Sequence, residues 1–224
     1  MTIIASTSSV TAWDYTELKS KIAEWMHRSD VTTLIPDFIT LAEQDINTDL
    51  RTRLMEVDST LSLVSGTRTV SLPDYFSEPI RLDLVIAGQQ NETLLYVTPQ
   101  QMAIASSTGS AVRPITWTIN GSLIEFPAIS DATYTLLFRN LQDFNIESTL
   151  TNSLLTSYPS VYLYRAMYHA AAWAEDNNGV AKWDMMYKNA VTRVNKSEAR
   201  AKTLTSLRTE LPMSSNVFNN IFMG

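Results

Sequence analysis

The chain has no cysteine. Disulfides, thiolate zinc sites and cysteine nucleophiles are therefore excluded, and nothing prevents folding in a reducing compartment. No apolar run approaches the roughly 18 residues that a membrane span needs. The opening MTIIASTSSVTAWDY has no basic leader and no long apolar core, so it is not expected to direct secretion. Glycine occurs 6 times in 224 residues, and GxGxxG, Walker, GxSxG and HExxH patterns are all missing. The usual phosphate cradles, nucleophile elbows and zinc helices thus have no template here. Charged residues make up only 18% and the net charge is −6. An acidic chain is poorly suited to neutralising phosphates along DNA.

Histidine occurs twice, at His27 and His169, each inside a predicted helix. Neither has a carboxylate or second histidine four residues on, and a helix-face metal site uses a spacing of three or four. For His169 the nearest acids are Glu175 and Asp176, at the far end of the helix. Acid–base work needs two acids in one cleft; Glu56 with Asp58, and Asp74 with Glu78, are the nearest approach. Exposed charge and capping account for both pairs. No catalytic residue, metal or cofactor is expected.

What is present is apolar periodicity. Tyr15, Leu18, Ile22 and Trp25 recur at steps of three and four, predicting a helix over 13–28. Phe38, Ala42, Ile46, Leu50 and Leu54 recur at steps of four, predicting a second over 34–54. Pro36 suits its first turn; an early Glu43 and late Arg51 and Arg53 suit its dipole. From Val57 the period changes to two. A hairpin is expected around Ser65-Gly66, another around Gly88 to Asn91, and a third with a type I′ turn at Asn120-Gly121. A short helix starts at Pro99 with Thr98 as its cap, and a last strand covers the region from Tyr134.

Helical spacing then returns. Pro159 opens a helix expected to end at Gly179. Val180, Trp183, Tyr187, Ala190 and Val194 form a narrow seam on a following helix, 180–203. The stretch 159–174 is apolar around more than half its circumference, which predicts a central place in a bundle. Trp25, Trp173 and Trp183 are expected in that packing. From Ala181 to Lys202 six bases (Lys182, Lys188, Arg193, Lys196, Arg200, Lys202) face two acids, a net +4, leaving −10 elsewhere. After Thr203 the chain is polar, interrupted by Pro212, and closes on Val217, Phe218, Ile221 and Phe222.

The expected fold class is α+β. Helical pairs at 1–56 and 146–203 form one bundle, an antiparallel β-rich subdomain covers 57–145, and 204–224 is an extended C-terminal tail. Weak charge and a surface of hydroxyls and amides suit contact with protein, because little charge must be desolvated. A carbohydrate-binding module with Trp117, Tyr96 and Tyr134 on one face is the alternative, and an enzyme built on Glu56, Asp58 or His169 a further one.

Three stretches together resemble the head-to-tail adaptor (connector) proteins of short-tailed bacteriophages: IPDFITLAEQDINTDLRTRL, VSLPDYFSEPIRLDLVIAG, and NSLLTSYPSVYLYRAMYHAAAWAEDNNGVAKWDMMYKNAV. Their order and spacing carry the resemblance, which spans about residues 14–203. It implies a structural virion protein of the neck, made in the host cytoplasm, without catalysis. It implies a ring, typically of twelve copies, between portal protein and the tail nozzle or tube, with DNA passing through the lumen. It also implies that the C-terminal segment lies along the portal or a neighbouring copy. Phe218, Ile221 and Phe222, with Val217, would then be anchors, and Arg193, Lys196 and Arg200 polar contacts.

Overall fold

The computed structural model describes the backbone of residues 13–28, 30–105 and 110–209, and the side chains of all of these but 105 and 200–209. In chain order the elements are α1 (Tyr15–Met26), α2 (Ile35–Asp49), β1 (Glu56–Leu63), β2 (Thr69–Ser71), β3 (Phe76–Leu84), β4 (Glu92–Thr93) and β5 (Leu95–Tyr96). They continue as α3 (Pro99–Ala105), β6 (Thr116–Asn120), β7 (Leu123–Glu125), β8 (Tyr134–Gln142), α4 (Ile146–Thr149), α5 (Ser153–Ser157), α6 (Pro159–Trp173) and α7 (Asn177–Thr209). The fold is α+β, as expected. The chain divides into two compact units: Leu54–Asn145, and the helical segments before and after it. No helix among the described residues is long and apolar enough to cross a membrane.

In the helical unit, Leu18 and Ile22 of α1, Ile35, Ile39, Ala42 and Ile46 of α2, and Val161, Tyr162 and Ala166 of α6 are almost wholly buried. Helix α6 packs against α1, α2, α5 and α7, the central position its broad apolar surface predicts. Of the predicted α7 seam, Tyr187, Ala190 and Val194 are buried and the stripe continues to Glu198, while Val180 and Trp183 at its start are only half-buried. Asp14 caps α1, accepting from Glu17 N at 2.8 Å, and Pro36 sits in the first turn of α2.

Helix α2 stops at Asp49, with Leu50 already extended, so Leu54 lies outside it. Arg51 ends the helix in the way a cation should: its guanidinium donates to the Leu50 and Asn47 carbonyls, two of the acceptors that a helix end leaves unpaired. Glu43 does not serve the dipole. It sits mid-helix, 8% exposed, in an otherwise apolar stripe.

Gly179 does not end α6. The helix closes on a Schellman motif with Glu175 in the left-handed position (φ 57°). Asp176 N donates to Ala171 O at 3.0 Å and Glu175 N to Ala172 O at 3.1 Å. Glycine is usual there because a Cβ is strained, which is why the next glycine was the expected stop. Gly179 instead belongs to the first turn of α7, where Asp176 Oδ1 accepts from its N–H at 3.0 Å. A Cβ on Gly179 would lie 2.3 Å from Asp176 Oδ2 and 3.1 Å from the Ala171 Cβ. Asp176→Ala is expected to remove this cap at a cost of about 1 kcal/mol. Urea unfolding checks it, and an unchanged midpoint would contradict the capping role. Helix α7 itself runs to Thr209, past the expected end at 203.

The β unit holds two four-stranded sheets, ordered β1-β8-β3-β4 and β2-β7-β6-β5. Among the described strands the pairings are antiparallel except β5 with β6, and an isolated bridge, Val112↔Ser130, is also parallel. The first expected hairpin does not form. β1 pairs with β8 along its length, from Glu56↔Leu141 to Leu63↔Tyr134, and β2 pairs with β7. Gly66 does turn the chain (φ 79°), but into the other sheet. Gly66 N donates to Ser130 O and Ser130 N to Thr67 O, each at 2.8 Å, so the segment bonds to distant chain instead of folding on itself. The second hairpin forms, with Asp83↔Thr93 and Leu84↔Glu92. The third forms with Asn120↔Leu123 paired. Its loop is therefore Gly121-Ser122 with positive φ at Gly121 alone, the II′ pattern and not I′. Thr98 and Gln101 cap α3 reciprocally, at 3.3 and 3.0 Å, the capping box.

One cluster joins both sheets: Leu63, Leu82, Leu84, Leu136 and Phe138 meet Trp117, Ile124, Phe126 and Leu94. Trp117 is 2% exposed. Its ring meets Phe138 and Tyr96 edge-on at 5.7 and 5.0 Å, and its indole N–H donates to Leu94 O at 3.2 Å. A sugar-stacking face needs this ring at the surface, so the carbohydrate-module reading, which needed Trp117, is overturned by its burial.

Candidate partner interface

The sequence-predicted interface residues fall in two groups. Arg193 and Lys196 are exposed on α7. Arg200 lies on the same helix, and its side chain is outside the described residues, as are Val217, Phe218, Ile221 and Phe222. The α7 bases nearer its start are engaged. Lys188 Nζ donates to Asp184 Oδ2 at 2.6 Å, and Lys182 lies over the Trp183 ring at 4.5 Å.

The inner side of α7 is held by a polar seam that no sequence motif announced. Asp45 of α2 accepts from Arg165 Nε at 2.6 Å and lies 2.7 Å from His169 Nε2, both on α6. Arg165 also reaches Asp184 of α7 at 3.5 Å and lies over the Tyr168 and Tyr187 rings. Tyr187 OH donates to Asp49 Oδ2 at 2.9 Å. Burial works to raise the Asp45 pKa, but the hydrogen bonds from Arg165 and His169 outweigh it and hold the carboxyl below its usual range. Burial, then the bond to Asp49, drives the Tyr187 hydroxyl far up. His169 thus finds its acid 124 residues away, not on its own helix. The other acids singled out are spent or exposed. Asp58 forms a two-pronged pair with Arg139 across β1 and β8, at 2.7 and 2.8 Å. Glu56, Asp74 and Glu78 stand exposed on the β unit.

A second internal knot holds the start of the C-terminal segment. Glu43 Oε1 accepts from Tyr162 OH at 2.8 Å and from Ile146 N at 2.9 Å. Asn152 donates to Tyr162 OH at 2.7 Å and caps α5 through Leu155 N at 2.8 Å. One carboxylate thereby ties α2 to α4, α5 and α6.

The open feature of the helical unit is aromatic. Trp25 and Trp173 are 42% and 47% exposed, so they do not belong to the core packing expected of them. Trp25 lies in the last turn of α1 and Trp173 is the last residue of α6, where each helix ends. Trp25, Tyr164 and Trp183 form a triangle with ring centres 5.8–6.4 Å apart. Beside them opens a cleft of about 420 Å³, lined by Trp25, Met26, Met167, Ala170, Ala174 and Trp183 among others. Sequence spacing could not separate these half-exposed tryptophans from buried ones, because both keep the helical period.

The geometry is thus that of a braced scaffold: acids tied to bases and hydroxyls inside, and an apolar cleft and an exposed basic stretch outside. The SU10 adaptor protein family matches residues 13–210, spanning nearly all of both units. No curated protein matches the chain. The chain belongs to the SU10 adaptor protein family and is a structural head–tail adaptor of the bacteriophage virion.

Proposed function

We propose that the protein forms a ring in the virion neck, made in the host cytoplasm and seated between the portal and the tail nozzle or tube. DNA crosses the lumen of the ring, which has about twelve copies by the family resemblance. The observation that carries this reading is the extent of the family match, which includes both units and not one helical motif. An acidic net charge of −6 supports it, since a lumen that repels phosphate lets DNA pass without holding it. Val217, Phe218, Ile221 and Phe222 anchor the chain to what it meets in the neck, with Arg193, Lys196 and Arg200 as polar contacts.

Removing residues 210–224 leaves every described element in place. The truncated chain is expected to stay folded by circular dichroism and to lose its place on portal particles in electron micrographs. Full occupancy of portal vertices by the truncated chain would overturn the anchor assignment. Absence of any ring with the full chain would overturn the adaptor role itself.

A further inference from the structure

We propose that two copies of this chain pair through the open edge of β1, as antiparallel strands related by a two-fold axis. The inference concerns the β unit alone and does not depend on the ring.

β1 ends its sheet, with β8 on one side and no strand on the other. The direction of its remaining backbone groups follows from β8. Val85 N donates to Thr135 O at 2.9 Å, so odd-numbered residues of β8 turn their N–H and C=O toward β3 and even-numbered ones toward β1. Leu82 agrees: it stands opposite Phe138, and its carbonyl faces away from β8 to accept from Leu94 N at 2.8 Å. Val57, Ser59, Leu61 and Leu63 stand opposite even-numbered residues of β8 and bond to them. Asp58, Thr60 and Ser62 therefore aim N–H and C=O out of the sheet, and all three are exposed.

Proteins usually defend such an edge with short strands, proline, lysine or bulges. This one does so elsewhere. β4 and β5 are two residues long and β2 is three. β4 covers Asp83 and Leu84 of β3; further along that edge Pro79 has no donor, and register shifts at Phe76/Glu78 and Pro79/Arg81 bend the line. β1 has none of these devices. It runs for eight residues, EVDSTLSL, without proline, lysine or a register shift. Among the described strands it is the long regular edge, so the strand of a second copy that fits it is β1 itself.

Charge and apolar contact select the register. With Thr60 opposite the partner's Asp58, these two residues exchange N–H and C=O bonds in both directions, and Ser62 N–H reaches the partner's Glu56 carbonyl. Each acid then faces a hydroxyl. The Asp58 charge is already held by Arg139, which limits the cost of covering it. Val57, 39% exposed, meets the partner's Leu61, a residue half-buried in each copy. Sliding by two residues one way sets Asp58 against the partner's Asp58, and like charges directly opposite are destabilising. Sliding the other way sets Glu56 against the partner's Val64, whose carbonyl already accepts from Thr67 N. A two-fold contact closes at two copies. It cannot extend into a ring, so it describes the protein before assembly.

The register names its own test. Ser59 falls opposite the partner's Ser59 at a non-hydrogen-bonded position, where Cα atoms lie about 4.5 Å apart, within the range of about 4.4–6.8 Å that a disulfide spans. The chain has no native cysteine, so full-length Ser59→Cys reports this contact alone. Mild oxidation is expected to give a disulfide-linked dimer at several-fold the yield of Glu92→Cys on β4. The parent chain should sediment as a dimer at high concentration. Thr60→Asp, at an exposed position, sets a second acid against Asp58. It should leave the circular dichroism unchanged, return the parent to a monomer and bring the Ser59→Cys yield down to the control. A parent that is monomeric at every concentration overturns the proposal. So does a Ser59→Cys yield equal to that of Glu92→Cys, or a folded Thr60→Asp chain that still pairs. If Thr60→Asp does not fold, the comparison of the two cysteine variants decides.

Discussion

Trp117→Ala is expected to cost the β unit about 4 kcal/mol, the range for emptying a large aromatic site that cannot collapse. The site has little freedom to collapse. Trp117 is held from the second sheet against Phe138, Leu82 and Leu136 of the first, so the cavity would open between two hydrogen-bonded sheets. The change also strips Leu94 O of the indole donor at 3.2 Å, and a buried unpaired carbonyl adds its own penalty. For a unit of this size the melting midpoint should fall by roughly 15–30 °C, followed by near-ultraviolet circular dichroism. Trp25→Ala is the comparison. That ring is 42% exposed, and its loss should cost less than about 2 kcal/mol. Equal, small effects at both positions would mean that the two sheets do not share the core assigned to Trp117.

The contrast between these two tryptophans also shows where reading a sequence works. Helices α1, α2, α6 and α7 were legible because an amphipathic stripe repeats over many turns, and errors at their ends do not erase it. The cap of α3 was legible because Thr98 and Gln101 bond within one turn. The Ser65-Gly66 turn was legible as a turn, but not its consequence. Local alternation predicts that adjacent strands pair, whereas β1 pairs along its whole length with β8, some 80 residues on. Such pairing leaves no local mark. At Glu175 the residue in the left-handed position is not glycine, so the expected helix break, at Gly179, falls four residues late.

The candidate interface was legible in a different proportion. The bases of α7 and the apolar end of the chain stand out by composition alone. The cleft does not, since it is made by the ends of α1 and α6 and the start of α7, and its tryptophans follow the same period as core residues. The polar seam was hidden for a related reason. His169 was compared with acids on its own helix, but the helix that carries Asp45 lies more than a hundred residues earlier. An acid inside an apolar stripe was the one available signal. Glu43 falls four residues after Ile39 and three before Ile46, both buried, and a lone acid in such a place needs a donor from elsewhere.

That acid yields the second large effect. Burial pushes the Glu43 carboxyl up to about 7, against the opposing hydrogen bonds from Tyr162 and Ile146. In the unfolded chain it titrates near the ordinary value of about 4.5. Between these limits the folded state holds the proton more tightly, so stability falls as pH rises. The contribution is whole below about pH 4.5, is lost up to about pH 7, and is flat above. At about 1.4 kcal/mol per pKa unit, the loss is about 3 kcal/mol. Glu43→Gln keeps the oxygen that accepts from Tyr162 OH and Ile146 N but has no proton to lose. The variant should match the parent near pH 5 and exceed it by about 2–3 kcal/mol at pH 8, measured by urea unfolding at both values. An identical pH slope in the two proteins would show that the carboxyl is not buried between α2, α4 and α6. A variant weaker at both pH values would show that the second carboxylate oxygen has a partner that the amide cannot replace. The gain at pH 8 would instead mean that this knot is held at the expense of stability, and that tying Ile146 and Tyr162 to α2, from which α6 and α7 take their position, is what the acid is kept for.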